Sequence, residues 1–179
     1  MGDSLITIIA IFLAAILMFV FPLLAMSERT DDIAQLSVES TTTDFVDNVR
    51  STGKLTLDGY DKFIQQLSST GNTYVVDMEA HIIDENPLVK TTQAATTKIG
   101  ENVYYVLYTS QIEDQLGIGT GHSGKITFKE GDLFSVTVKN SNTTIAQTMR
   151  EFLYKIVGND TYSVAAQHAG MVTVNGSNN

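Results

Sequence analysis

The chain has no cysteine, no tryptophan and only two prolines, and it carries only 11 Lys and Arg against 20 Asp and Glu in 179 residues. Each shortage excludes something. Without cysteine there is no disulfide staple, no thiolate metal site and no thiol nucleophile, so packing alone holds the fold, and the redox compartment stays undecided. A net charge of -9 and a pI near 4.6 repel a phosphate backbone. No basic stripe or aromatic platform offsets that repulsion, so no nucleic acid is expected among the partners. The length fits one domain, or one domain with an appendage.

In one stretch charge is missing altogether. Leu5 to Met26 is a run of 22 uncharged residues, and 14 of them are Leu, Ile, Phe or Val. As a helix it spans ~33 Å at about 1.5 Å per residue, against a hydrocarbon core of roughly 30 Å. Fourteen such side chains favour insertion into a bilayer by roughly 4 to 8 kcal/mol in sum. A cleaved secretory signal is the weaker reading, because Met1, Gly2, Asp3 and Ser4 carry no Lys or Arg. The first basic residue, Arg29, sits among Glu28, Asp31 and Asp32, so the positive-inside bias is nearly silent. The large acidic, Ser/Thr/Asn-rich part that follows suits the extracellular face, with the amino end inside.

Only Asp3 of the acids precedes residue 27, so residues 27–179 hold 11 Lys and Arg against 19 Asp and Glu, a net charge of -8. A domain of this size hides nearly 70% of its extended surface, enough for a real core. Ile33, Leu36, Phe45 and Val49 can share one helical face, so the apolar helix is expected to continue outward for about 45 residues in all. Pro22 denies a hydrogen bond to the Met18 carbonyl and predicts a kink, and Ser40 to Thr43 predict a soft spot. Gly53 is the expected stop.

Beyond it, Thr56 reads as an N-cap, and Tyr60, Phe63, Ile64 and Leu67 form the stripe of a short amphipathic helix. Tyr74 to Asp84 alternates as a half-exposed strand, with Tyr74, Val76, Met78, Ala80 and Ile82 on one face and Asp77, Glu79 and His81 on the other. Asp84 to Gly100 reads as a long loop. Val103 to Tyr108 predicts a strand, followed by a helix capped by Ser110 and Glu113. Lys125 to Phe128 and Leu133 to Lys139 predict a hairpin through Glu130, Gly131 and Asp132. Ile145, Met149, Phe152, Leu153 and Ile156 make a helical face over Thr144 to Val157. A closing hairpin around Ala169 and Gly170 and a frayed tail complete the chain. The expected fold class is α+β: residues 1–50 form a membrane or filament-core helix, and residues 51–179 form an extracellular domain with an antiparallel sheet and two or three short helices.

Motifs that carry chemistry are few. Gly119, Gly121 and Gly124 satisfy GxGxxG, but a dinucleotide loop leaves a strand for a helix, whereas this one leaves a helix for a strand. It reads as a flexible connector. His81 shares a strand face with Asp77 and Glu79, a pattern commoner on solvated sheets than in cation sites. His122 and His168 have no partner at metal-site spacing. No Walker loop, no GxSxG elbow and no apolar-flanked carboxylate pair is present. The sequence therefore points to no catalytic residue, no metal and no cofactor, and to a non-enzyme. Asn142, Asn159 and Asn175 head N-x-Ser/Thr sequons, possible glycosylation sites that serve here as surface markers.

An apolar helix that begins almost at residue 1, runs into an amphipathic half and then carries a small mixed domain resembles a type IV pilin. The closer likeness is to pilin-like proteins of tight-adherence-type pilus loci in Gram-positive bacteria. Asp3-Ser4-Leu5-Ile6, Arg29-Thr30-Asp31-Asp32, Phe45-Val46-Asp47-Asn48-Val49-Arg50 and Gly71-Asn72-Thr73-Tyr74 are the similar stretches. The resemblance covers residues 1 to about 50 in architecture. It implies a subunit that waits in the cytoplasmic membrane, engages pilus assembly machinery and polymerises with its own copies into an extracellular filament. On that likeness the assembly residues are Asp3, Leu5, Ile9, Phe12, Leu13, Ile16, Phe19, Val20, Pro22 and Leu23. The pattern also departs from the family. A prepilin leader ends in Gly and is followed by an acid at the fifth mature position, whereas Gly2 is the one possible leader Gly here and Thr7 stands fifth after it. Either Asp3 replaces that acid, or processing at Gly2 is absent or different.

Two rival classes remain open at this point. One is a single-pass membrane-anchored sensor or adhesion domain, in which the apolar helix is only an anchor. The other is an ectoenzyme, which needs a pocket of titratable groups that the sequence does not display.

Overall fold

The computed structural model describes residues 2–84, 104–119, 124–141 and 165–176, with the side chains of 2, 3, 24 and 165 left aside. One helix dominates. Helix α1 runs from Gly2 to Thr52, 51 residues, unbroken through Pro22 and through the expected soft spot at Ser40 to Thr43. The physical reason for the second continuity is local. Thr42 is fully buried, and its hydroxyl donates to the Val38 carbonyl at 2.7 Å, so this β-branched polar residue is satisfied inside the helix.

Gly53 stops the helix in a left-handed conformation, φ 64°, with its N–H on the Val49 carbonyl. The chain then makes a three-residue strand that the residue pattern does not announce, β1 (Lys54–Thr56). Helix α2 (Leu57–Ser68) follows, capped as expected by the Thr56 hydroxyl, which accepts from the Gly59 N–H at 3.1 Å. Its apolar stripe buries Phe63 and Leu67.

Strand β2 (Tyr74–Ile83) matches the expected alternation, with Met78 and Ala80 buried. Strand β3 (Tyr104–Tyr108) leads into helix α3 (Thr109–Leu116). The cap is Tyr108 rather than Ser110, and its N–H donates to the Gln111 side chain rather than to Glu113. Glu113 instead accepts from the Tyr60 hydroxyl at 3.3 Å. Burial, followed by the charge of Glu113, pushes the Tyr60 phenol up to about 12.

Strand β4 (Lys125–Thr127) and strand β5 (Leu133–Asn140) are adjacent in sequence but do not form the expected hairpin. Strand β4 pairs antiparallel with β1 in a two-stranded sheet, Leu55 opposite Ile126. Strand β5 enters a four-stranded antiparallel sheet of order β3-β2-β5-β6. Buried Asp132 forces the separation: its carboxylate accepts from the Lys129 N–H at 2.7 Å and from the Ile83 N–H at 2.8 Å. That grip turns the chain away from β4 and onto the end of β2.

Strand β6 (Ala165–Met171) replaces the expected closing hairpin, running straight through Ala169 and Gly170 along β5. Gly170 is a packing residue, not a turn residue. A Cβ there would lie 2.3 Å from Arg50 Nε, whose guanidinium crosses the strand to reach the Met171 carbonyl at 3.0 Å. The tail is not frayed as far as Gly176, whose N–H donates to the Phe128 carbonyl at 2.8 Å. The expected loop over Asp84 to Gly100 and the expected helix over Thr144 to Val157 lie outside the described residues, apart from Asp84 itself.

The core sits between one sheet face and the second half of α1. Phe45 stacks on Phe63 of α2 with ring centroids 4.2 Å apart, and meets Phe134 of β5 edge-on at 6.1 Å. Ala34, Val38, Thr42, Phe45, Val46 and Val49 form the buried stripe of α1. Phe45 and Val49 fall on it as expected; Ile33 and Leu36 do not, and are 70% and 68% exposed. At 100° per residue they stand roughly 150° from the centre of the stripe, so the side of α1 that carries Phe45 against the head necessarily turns them away from it.

Candidate functional site: the uncovered half of the N-terminal helix

From Leu5 to Met26 the helix touches none of the head. Fourteen of the 21 exposed large hydrophobic side chains among the described residues lie in this stretch. Of the expected assembly residues, Leu5, Ile9, Phe12, Leu13, Ile16, Phe19 and Leu23 are all exposed, from 41% at Ile16 to 75% at Phe19. Pro22 is exposed as well and Val20 half-buried. Gly2 and Asp3 lie in the first turn, with their side chains outside the described residues.

The exposed side chains go all round the cylinder, unlike the single stripe of a surface helix, and a helix apolar on every side requires an apolar surrounding. The polar boundary is sharp: Ser27, Glu28 and Arg29 follow Met26 at once. Among the described residues this is the one helix long and apolar enough to cross a membrane, a property that an anchor and a signal sequence share.

The second half of α1 is clamped to the head by polar as well as apolar contacts. Asp47 accepts from Arg50 at 2.6 Å and lies 3.4 Å from His168 Nε2 on β6. The Arg50 hydrogen bond, with His168 adding to it, holds the Asp47 carboxyl below the usual range. The Thr173 N–H and hydroxyl both donate to the Arg50 carbonyl, at 3.0 and 3.2 Å. The Asp47 side chain and the Arg50 carbonyl thus tie the helix end to β6 and to the residue two beyond it.

The remaining singled-out residues are dispersed. His81 bonds Glu79 at 2.8 Å, Asp77 pairs with Lys139 at 3.1 Å, and no group of three His, Asp or Glu able to hold a metal occurs among the described residues. His122 and Gly121 lie outside the described residues. Gly119 and Gly124 follow α3 and precede β4, the helix-to-strand order expected of a connector. Gly124 has a packing role, since a Cβ there would fall 2.1 Å from the Gln115 carbonyl. Asn142 and Asn159 lie outside the described residues, while Asn175 is described: its side-chain oxygen accepts from the Glu130 N–H at 2.9 Å.

Sequence periodicity misses two groups of residues. Ile33 and Leu36 are apolar at helical spacing, and only the head's position shows that they face away from it. Ser135, Thr137 and Gln167 join Asp77 and Glu79 beside Tyr108 in one concavity of about 460 Å³, through strand pairings that no local pattern encodes.

The fold and the bare rod define a class: a long N-terminal helix whose carboxyl half is built into a small α+β head and whose amino half stands clear of it. Compared with known families, with curated proteins and with solved structures, the chain gives no match.

Proposed function

We propose that the chain is a pilin-like structural subunit of an extracellular type IV pilus-like filament, held in the membrane before assembly and polymerised through Leu5 to Met26. Moving this rod from lipid into a bundle of its own copies exchanges apolar contacts for apolar contacts at little hydrophobic cost. A head-to-tail contact that does not close into a ring generates an open fibre. The acidic exterior limits lateral aggregation. Pilus assembly machinery is the partner that this route requires; no cofactor, metal or nucleic acid enters it, and no enzymatic step.

One observation carries the reading: apolar exposure does not end where a bilayer would. Ile33 and Leu36, 70% and 68% exposed on the side away from the head, stand about 10 and 15 Å beyond Met26 along the helix. A lone anchor leaves both in water. In a filament they meet neighbouring helices.

The test is electron microscopy of sheared cell-surface material with intact-mass analysis of the subunit, and fibres containing the protein are expected. Because the chain has no cysteine, Ile33→Cys is also a clean reporter, expected to form disulfide-linked copies on the cell surface. Recovery only as a detergent-soluble monomer or small oligomer, with no cross-link, sinks the proposal. That outcome selects the second reading, a single-pass anchored sensor or adhesion domain, which the match between rod length and bilayer thickness favours.

A further inference from the structure

The sheet face turned away from α1 carries a shaped polar concavity. Its floor is two transverse rows set by strand register: Glu79 on β2 opposite Ser135 on β5, and Asp77 opposite Thr137, which in turn faces Gln167 on β6. Directly opposed side chains on neighbouring strands lie about 5 Å apart, so hydroxyl, carboxylate and amide groups repeat at close intervals. The wall is the β3–α3 junction, Tyr108 to Ser110. Thr109 fixes that wall: its hydroxyl accepts from the Met78 N–H at 2.7 Å and donates to the Met78 carbonyl at 3.2 Å, continuing the β2–β3 ladder where the strand ends. Tyr108, 59% exposed, presents its ring at the rim.

The lining excludes most ligand classes. Among the described residues it is lined by no Lys or Arg for a phosphate or sulfate. It does not suit a bare cation, because Asp77 is engaged by Lys139 and Glu79 by His81, and no third metal ligand joins them among the described residues. For an apolar ligand the described lining offers the Tyr108 ring alone, since Met78 is buried in the core. What remains is hydrogen-bonding capacity that the described residues leave unused. No side-chain hydrogen bond is made by Ser110, Ser135, Thr137 or Gln167 among the described residues, and each carboxylate keeps one oxygen outside its contact with Lys139 or His81.

Paired hydroxyls, a planar amide, planar carboxylates and one exposed aromatic ring are together complementary to a polyhydroxylated ring. Vicinal sugar hydroxyls bridge to carboxylate or amide, and the C–H face stacks on the phenol. The volume of about 460 Å³ lies within the ~300–1,000 Å³ of small-ligand sites. We propose that this concavity is a binding site for a neutral saccharide unit. It stands whether the rod polymerises or only anchors.

The experiment uses the full-length protein in detergent micelles. Neutral oligosaccharides of glucose, mannose, galactose and N-acetylglucosamine are screened by saturation-transfer NMR and titrated by calorimetry, with and without calcium chloride. At least one saccharide is expected to bind, calcium-independently. Tyr108→Ala and Asp77→Asn each weaken it at least tenfold, while Gln65→Ala, on exposed α2 surface, leaves it unchanged. Three outcomes overturn the proposal: no binding across the panel, equal binding by the Tyr108 and Asp77 variants with folding verified by circular dichroism, or binding that requires calcium.

Discussion

The two halves of α1 share one backbone conformation but differ in almost every other respect. Leu5 to Met26 is apolar on all sides and touches nothing in the head. From Ala34 onward the helix buries one stripe and wets the rest. The back half is a structural member of a folded domain, with Phe45 between Phe63 and Phe134. The front half is a helix left unburied by its own head. The difference teaches that helicity and burial are separate matters in this chain: the first runs through one proline and no glycine between Leu5 and Thr52, the second follows from what the surroundings supply.

If the halves are independent, lesions in each should be felt in one place only. The largest effect is expected from Phe45→Ala, which removes a ring stacked in the core and costs about 3–5 kcal/mol. At roughly 2–4 °C per kcal/mol the head's melting temperature falls by ~6–20 °C, as circular dichroism in detergent would record. Ile16→Arg should do the reverse. It places a charge near the middle of the rod at about 2.5–3.5 kcal/mol, roughly half of what favours insertion, weakening membrane retention and reducing surface fibres while the head melts within ~0.5 kcal/mol of the parent. A large change in head stability from Ile16→Arg would break the comparison.

The junction gives a smaller effect. Gly53→Ala puts a Cβ at φ 64°, 2.5 Å from the Val174 carbonyl and the Gly176 nitrogen, and should cost about 1–3 kcal/mol with loss of the Gly176–Phe128 tie. Calorimetry of the variant, with hydrogen exchange at residue 176, reads both. The smallest effect is alkaline. Tyr60 holds its proton to about pH 12 in the folded head, against about 10 in an unfolded chain. Its contribution is therefore whole below pH ~10 and lost as pH rises toward 12. Tyr60→Phe should flatten that limb of the stability profile and leave the acid limb, where Asp47 loses its link to Arg50, unchanged.

Legibility in the sequence followed the range of the interactions. Elements whose cause lies within a few residues could be read directly: the apolar rod, the Gly53 stop, the Thr56 cap, the α2 stripe and the alternation of β2. Elements decided by distant partners were misread. Glu130, Gly131 and Asp132 do form the expected turn, with the Asp132 N–H on the Lys129 carbonyl at 3.1 Å, yet Asp132 also commits its carboxylate to Ile83, 49 residues away in sequence, and the two flanking strands join different sheets. Ala169 and Gly170 look like a turn, and Gly170 is small because Arg50 passes over it. Ile33 and Leu36 look like core, and Ala34 and Val38 are core, because the face of α1 that meets the head is set by Phe45, Val46 and Val49 further along the helix. The polar concavity beside Tyr108 was invisible for the same reason, since three strands in a particular register assemble it.

The amino-acid order alone determined that a charge-free rod of bilayer length precedes an acidic, cysteine-free α+β head, because hydropathy and helix periodicity are properties of neighbouring residues. Which face of α1 the head covers, which strands pair, and which polar side chains meet on the far side of the sheet were settled only by tertiary structure. Those outcomes depend on contacts between residues as far apart as Arg50 and Thr173, whose free energy no local pattern contains.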